Sequence, residues 1–126
     1  MILVDTNIII DFWQNPSGAL RRVFIEETVA ICGITKAELM HGAESEGDLL
    51  IISKALSDFE YIPMDELIWD EVGRLSYLLR KSGITVPFQD VALCALALRY
   101  DLPIYSNDKH FALIKTEIED LRLFKP

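Results

Sequence analysis

Three residues at the start of the chain, Ile2-Leu3-Val4, constrain its fold most: all are apolar, two are β-branched, and the run stops at Asp5. A run this short with no polar side fits a strand covered on both faces of a sheet. Thr28 to Cys32 repeats the pattern, and Phe59 to Ile62, Pro103 to Tyr105 and Leu121 to Phe124 read as further strands. Helical segments separate them. Thr6 and Asn7 open a helix to about Trp13, and Asn15-Pro16, a cap with proline at the first helical position, starts a second through Glu27. Thr35 to His41 is a third, stopped by Gly42. After the polar loop Ala43 to Asp48, a fourth reaches about Ser57. Asp65 to Ser82 is long, amphipathic and closed by Gly83; Pro87 to Tyr100 follows, and a short helix starts at Asp108.

Strands alternating with helices require crossover connections. The expected fold is therefore α/β, a three-layer α/β/α sandwich with a central, mainly parallel sheet. Crevices in such folds open at the carboxyl ends of the strands. That rule singles out Asp5 and Asp108, each just past a strand.

The 126 residues suit one domain spanning 1–126, with no linker or repeat to divide it. Asp5 interrupts the N-terminal apolar stretch before a signal sequence could form, and the longest apolar run, Val91 to Leu98, is too short to span a bilayer. Cys32 and Cys94 lie in apolar segments without CxxC spacing and read as buried thiols of a reducing compartment. The expected location is cytoplasmic, with no membrane contact. A net charge of −8 argues against holding nucleic acid on a broad basic surface. It leaves room for an enzyme that meets RNA through bound cations, and it suits a basic protein partner.

Four acids carry the chemical interest, and each has a structural explanation beside the functional one. Asp5 is placed either to cap the helix beginning at Thr6 or to serve as a strand-end ligand for a hard cation. Glu38 completes Thr35-x-x-Glu38, a capping-box pattern in which the carboxylate reaches back to the threonine N–H. Asp90 heads Val-Ala-Leu-Cys-Ala-Leu-Ala-Leu, a helix apolar on every face; the helix dipole favours an acid there, yet a carboxylate at the mouth of a buried helix usually needs a metal or charge partner. Within Ser106-Asn107-Asp108, any of the three fits as a cap for the helix that follows.

Taken together, these segments resemble the PIN domain, and within it the VapC-type toxins of toxin–antitoxin pairs. Val4-Asp5-Thr6-Asn7 is similar to the family's first motif, and Thr35-Lys36-Ala37-Glu38-Leu39-x-x-Gly42 to its second. Asp90-Val91-Ala92-Leu93-Cys94-Ala95 resembles the third, with Cys94 where alanine is commoner. Ser106-Asn107-Asp108-Lys109-His110-Phe111 resembles the fourth, with serine where threonine is usual. The resemblance implies that Asp5, Glu38, Asp90 and Asp108 gather in one pocket, bind Mg²⁺ or Mn²⁺ and carry catalysis, supported by Thr6, Asn7 and Ser106. Carboxylates about 5 Å apart repel by roughly 3 kcal/mol at an effective dielectric of 20, so a gathering of four calls for cations. It implies hydrolysis of RNA phosphodiester bonds by a metal-activated water. It also implies a homodimer, and a small antitoxin whose basic segment blocks the pocket.

The alternatives within the family are a housekeeping nuclease of RNA processing and a catalytically silent binding module. Outside it, a receiver-type phosphorylation domain needs an acid pair after the first strand, and a haloacid-dehalogenase phosphatase needs Asp-x-Asp where position 7 is Asn. His110 reads as a phosphate contact or a helix-surface residue. Phe12, Trp13 and Trp69 read as core or interface anchors rather than base-stacking platforms, and Arg21-Arg22 and Arg80-Lys81, candidate phosphate contacts, read as ordinary solvated faces.

Overall fold

The computed structural model describes all of residues 1–126. Four strands, β1 (Ile2–Val4), β2 (Val29–Ile31), β3 (Glu60–Tyr61) and β4 (Ile104–Tyr105), form one sheet in the order β3-β2-β1-β4, and every pairing is parallel. The helices are α1 (Thr6–Gln14), α2 (Gly18–Glu26), α3 (Gly33–His41), α4 (Glu46–Leu56), α5 (Glu66–Lys81), α6 (Phe88–Tyr100) and α7 (His110–Glu117).

The strand pleat sorts side chains into two cores. Leu3, Ala30, Cys32 and Ile104 pack on one face with α5, α6 and α7, through residues such as Val72, Leu79, Leu93, Leu96 and Ile114. Ile2, Val4, Val29 and Ile31 pack on the other with α1 to α4, through Ile8, Ile9, Val23, Leu39 and Leu56. A sheet covered on both faces is the three-layer α/β/α arrangement expected from the short apolar runs. Helix α6 lies deepest, with Asp90 through Ala97 all buried, as its unbroken apolar run requires. No helix is long and apolar enough to cross a membrane.

Several boundaries differ from the sequence reading. Helix α2 is capped by Ser17, whose Oγ accepts the Leu20 N–H, because α1 runs on to Gln14 and uses Asn15 as its own C-cap. Helix α4 starts inside the expected loop, where Ser45 accepts the Asp48 N–H. The last expected strand is a single parallel bridge, Ile104 to Leu123, joined to Ile104 by two backbone bonds. Gly83 follows α5 at φ +80°, a conformation that glycine adopts at little cost.

The sheet order positions the site. From β1 the chain moves outward to β2 and β3, then returns to lay β4 against the opposite edge of β1. The connections leaving β1 and β4 therefore diverge, and a crevice opens between them at the carboxyl ends. Asp5 follows β1 there, and Ser106 to Asp108 follow β4.

Candidate active site

Asp5, Glu38, Asp90 and Asp108 all line one open cleft of about 320 Å³ at this switch point. The cleft has nine lining residues, and none is lysine or arginine. Each acid comes from a different part of the fold: the end of β1, the middle of α3, the first turn of α6, and the segment between β4 and α7.

Asp5 is buried and heavily engaged. Its Oδ1 accepts the Thr6 N–H at 2.8 Å, and its Oδ2 accepts the Ser106 hydroxyl at 2.7 Å and the Asn7 amide at 3.4 Å. Capping of α1 is thus real but takes up only one carboxylate oxygen. Ser106 Oγ also accepts the Asp108 N–H at 3.0 Å, so one hydroxyl joins the β1 and β4 arms of the site. Asn7 extends the link, with its Oδ1 accepting the Asn107 N–H at 3.2 Å.

Glu38 does not form the capping box. Helix α3 springs directly from β2, with Cys32 at the cap position, so Thr35 lies inside the helix, fully buried, its hydroxyl without a partner. Glu38 faces the cleft instead, where its only hydrogen bond is a long one, 3.4 Å, from the Thr6 hydroxyl. Burial holds its carboxyl above the ordinary glutamate value, and the charges of Asp5 and Asp90 push the same way, against the Thr6 hydrogen bond.

Asp90 is also raised, first by burial and further by the charges of Asp5 and Asp108, against the lowering effect of His110. His110 Nδ1 lies 2.8 Å from Asp90 Oδ2 and 2.9 Å from Asp108 Oδ1. Asp108 Oδ1 also accepts the N–H of His110, the first residue of α7. Neighbouring carboxylates thus add to burial in raising Glu38 and Asp90, and no lysine or arginine lines the cleft to offset them. That is the electrostatic state of a site suited to a cation.

Thr6, Asn7 and Ser106 stand in contact with the acids. Three further residues make contacts around the site beyond those expected from the sequence: His110, Asn107 and Asp11, of which only Asp11 is outside the motifs. His110 lies against Asp90 rather than on a bare helix surface. Asp11 accepts the Asn107 side-chain amide at 2.8 Å, and Asn107 is itself held by Asn7. The i, i+4 spacing of Asn7 and Asp11 on α1 was a usable signal for that pair. Arg21, Arg22, Arg80 and Lys81 are exposed and do not line the cleft. Phe12 stacks on Phe24 within the α1–α4 core, and the partly exposed Trp69 stacks on Phe88. Both cysteines are buried, and burial pushes the Cys94 thiol up.

A family model of the PIN domain matches residues 2–117 of this chain. Ribonuclease VapC1 of Methanocaldococcus jannaschii is 27% identical over 115 residues, which cover 90% of this chain and 81% of that protein. VapBC-1 from nontypeable Haemophilus influenzae has a similar fold, with a TM-score of 0.81 at 22% identity over 99% of this chain and 98% of that one. A toxin–antitoxin complex from Klebsiella pneumoniae contains another, with a TM-score of 0.72 at 24% identity over 86% of this chain and 88% of that one.

Proposed function

The chain belongs to the PIN-domain family, and on that premise we propose that it is a metal-dependent endoribonuclease, the toxin of a toxin–antitoxin pair. The observation that carries this reading is the convergence of Asp5, Glu38, Asp90 and Asp108 on one cleft with no lysine or arginine lining it. A silent binding module would have little use for four acids in one cleft, where neighbouring charge helps raise Glu38 and Asp90. The relative named as a ribonuclease and the fold shared with a toxin–antitoxin complex support the same assignment.

The four acids would hold Mg²⁺ or Mn²⁺, hard cations that prefer carboxylate oxygens. Such a cation supplies charge neutralisation at phosphorus and a more acidic water. The chain's own residues do the positioning. Ser106, Asn7 and the Thr6 N–H fix the Asp5 carboxylate, and the bond from Ser106 to the Asp108 N–H keeps Asp108 in register with it. Glu38, with its single long partner, is the acid freest to accept the proton of an attacking water. No side chain serves as nucleophile, so water attacks the phosphodiester and the 3′-oxygen leaves.

Cleavage of single-stranded or looped RNA should therefore require Mg²⁺ or Mn²⁺, cease with EDTA, and leave 5′-phosphate and 3′-hydroxyl ends. Products with 2′,3′-cyclic phosphate would mean that the 2′-hydroxyl is the nucleophile and that this reading is wrong.

The partner follows from the same charge. A cleft lined by acids suits a cationic peptide, whose arginine pairs bidentately with carboxylates and competes with metal. The proposed antitoxin inserts a basic segment there. Expression of the chain alone should arrest growth, and co-expression of a small protein encoded immediately upstream of it should relieve the arrest and yield a stable complex. A harmless chain that binds no such protein would remove the toxin assignment.

A further inference from the structure

Two of the four acids share a neighbour of a different chemical kind. Asp90, Asp108 and His110 each offer one ligand atom, and the three atoms lie within 4.8 Å of one another. The imidazole Nδ1 stands 2.8 Å from Asp90 Oδ2 and 2.9 Å from Asp108 Oδ1. A single ring nitrogen carries at most one proton, so it cannot give two carboxylates a full hydrogen bond each. The spacing does match a shared cation, since donors bonded at about 2.1 Å and at right angles stand roughly 3.0 Å apart. Access is open: the His110 side chain is 40% exposed and that of Asp108 34%.

We propose that His110 is a nitrogen ligand of the cation held by Asp90 and Asp108, making this end of the cleft a mixed nitrogen–oxygen site. The inference rests on the cation-binding reading of the cleft and deepens it. An imidazole donor shifts preference away from Mg²⁺, which favours oxygen donors, toward first-row transition ions that accept nitrogen. The start of α7 enforces the arrangement: Asp108 Oδ1 accepts the N–H of its first residue, His110, so Asp108 and His110 are delivered together, facing Asp90 in the first turn of α6.

Pulsed EPR of the full chain loaded with Mn²⁺ tests the assignment independently of activity. Wild type should show ¹⁴N modulation from a directly bound imidazole, and His110→Gln should lose it. The glutamine retains an amide N–H to bond Asp90, so a pure positioning role would survive that change. By calorimetry, His110→Gln should weaken Co²⁺ binding by more than about tenfold, the least expected even from losing an outer partner of a metal ligand, and Mg²⁺ binding by much less. Mn²⁺ bound by wild type without ¹⁴N coupling, or equal Co²⁺ affinity in His110→Gln, overturns the proposal and leaves the cation reading standing. No Mn²⁺ binding by wild type overturns both.

Discussion

Ser106 is the mechanical joint of the site, and Ser106→Ala removes the joint while leaving the backbone path unchanged. The hydroxyl donates to Asp5 Oδ2 at 2.7 Å and accepts from the Asp108 N–H at 3.0 Å and from the Asn7 amide at 3.3 Å. A hydrogen bond to a charged group contributes about 1.5–3 kcal/mol and a neutral one about 0.5–1.5. Ser106 is only half-buried, so water replaces part of what is lost. The net cost should be about 2 kcal/mol, which in a domain of this size lowers Tm by roughly 6–10 °C. Loosening Asp5 and Asp108 should also weaken Mn²⁺ binding by about ten- to a hundred-fold, as losing a partner of a metal ligand does. Ser106→Thr keeps the hydroxyl and should remain near wild type in both respects. Thermal melts in EDTA and Mn²⁺ titration calorimetry measure the two effects. A Ser106→Ala variant with unchanged Tm and metal affinity, or a Ser106→Thr variant as damaged as the alanine, refutes the role.

Burial and neighbouring charge raise the Glu38 and Asp90 carboxyls in the folded state. A raised carboxyl binds its proton more tightly folded than unfolded, so metal-free stability falls as pH climbs through the folded value. Asp90→Asn should therefore melt higher than wild type at pH 7 in EDTA, with the gap closing as pH falls through that value; a gap independent of pH argues against charge repulsion. Glu38→Gln should leave the metal-free Tm no lower than wild type, because Glu38 caps nothing; a drop of several degrees would restore the capping-box explanation. Leu96→Ala, in the fully buried middle of α6, should cost about 2–5 kcal/mol in denaturant unfolding, and a loss under 1 kcal/mol would mean α6 is not the core. Cys32 and Cys94 should react with a thiol reagent only after unfolding, and prompt reaction of the folded chain would contradict their burial.

What was legible in the sequence tracks how far each signal depends on tertiary context. Ile2-Leu3-Val4 ending at Asp5 could be read directly, because a run with no polar face has only buried destinations, and the parallel sheet follows from what must connect such runs. The all-round apolar run after Asp90 was equally plain. Thr35-x-x-Glu38 misled because capping is decided by where the helix begins. That start is fixed by β2 feeding α3 at Cys32, which places Thr35 a turn too deep. Leu121 to Phe124 has strand composition, but its pairing is decided by how the segment after α7 packs, which brings only Leu123 into a bridge with Ile104. His110 was unreadable as a partner of Asp90 because the pair, 20 positions apart, meets only when α7 is folded back against α6.

The central claim is that Asp5, Glu38, Asp90 and Asp108 act as one cation-dependent nuclease site. It is tested most directly by assaying Asp5→Asn, Glu38→Gln, Asp90→Asn and Asp108→Asn beside wild type on one RNA. The assay is run with Mg²⁺ or Mn²⁺ and again with EDTA, after melts confirm that each variant is folded. Asparagine at 108 can still accept the His110 N–H, so that variant separates the charge from the hydrogen bond. Every folded variant should lose at least about a hundredfold in cleavage, the upper end of what losing an outer partner alone costs, and wild type should fall silent in EDTA. A folded variant that cuts like wild type, or cleavage that continues in EDTA, contradicts the claim.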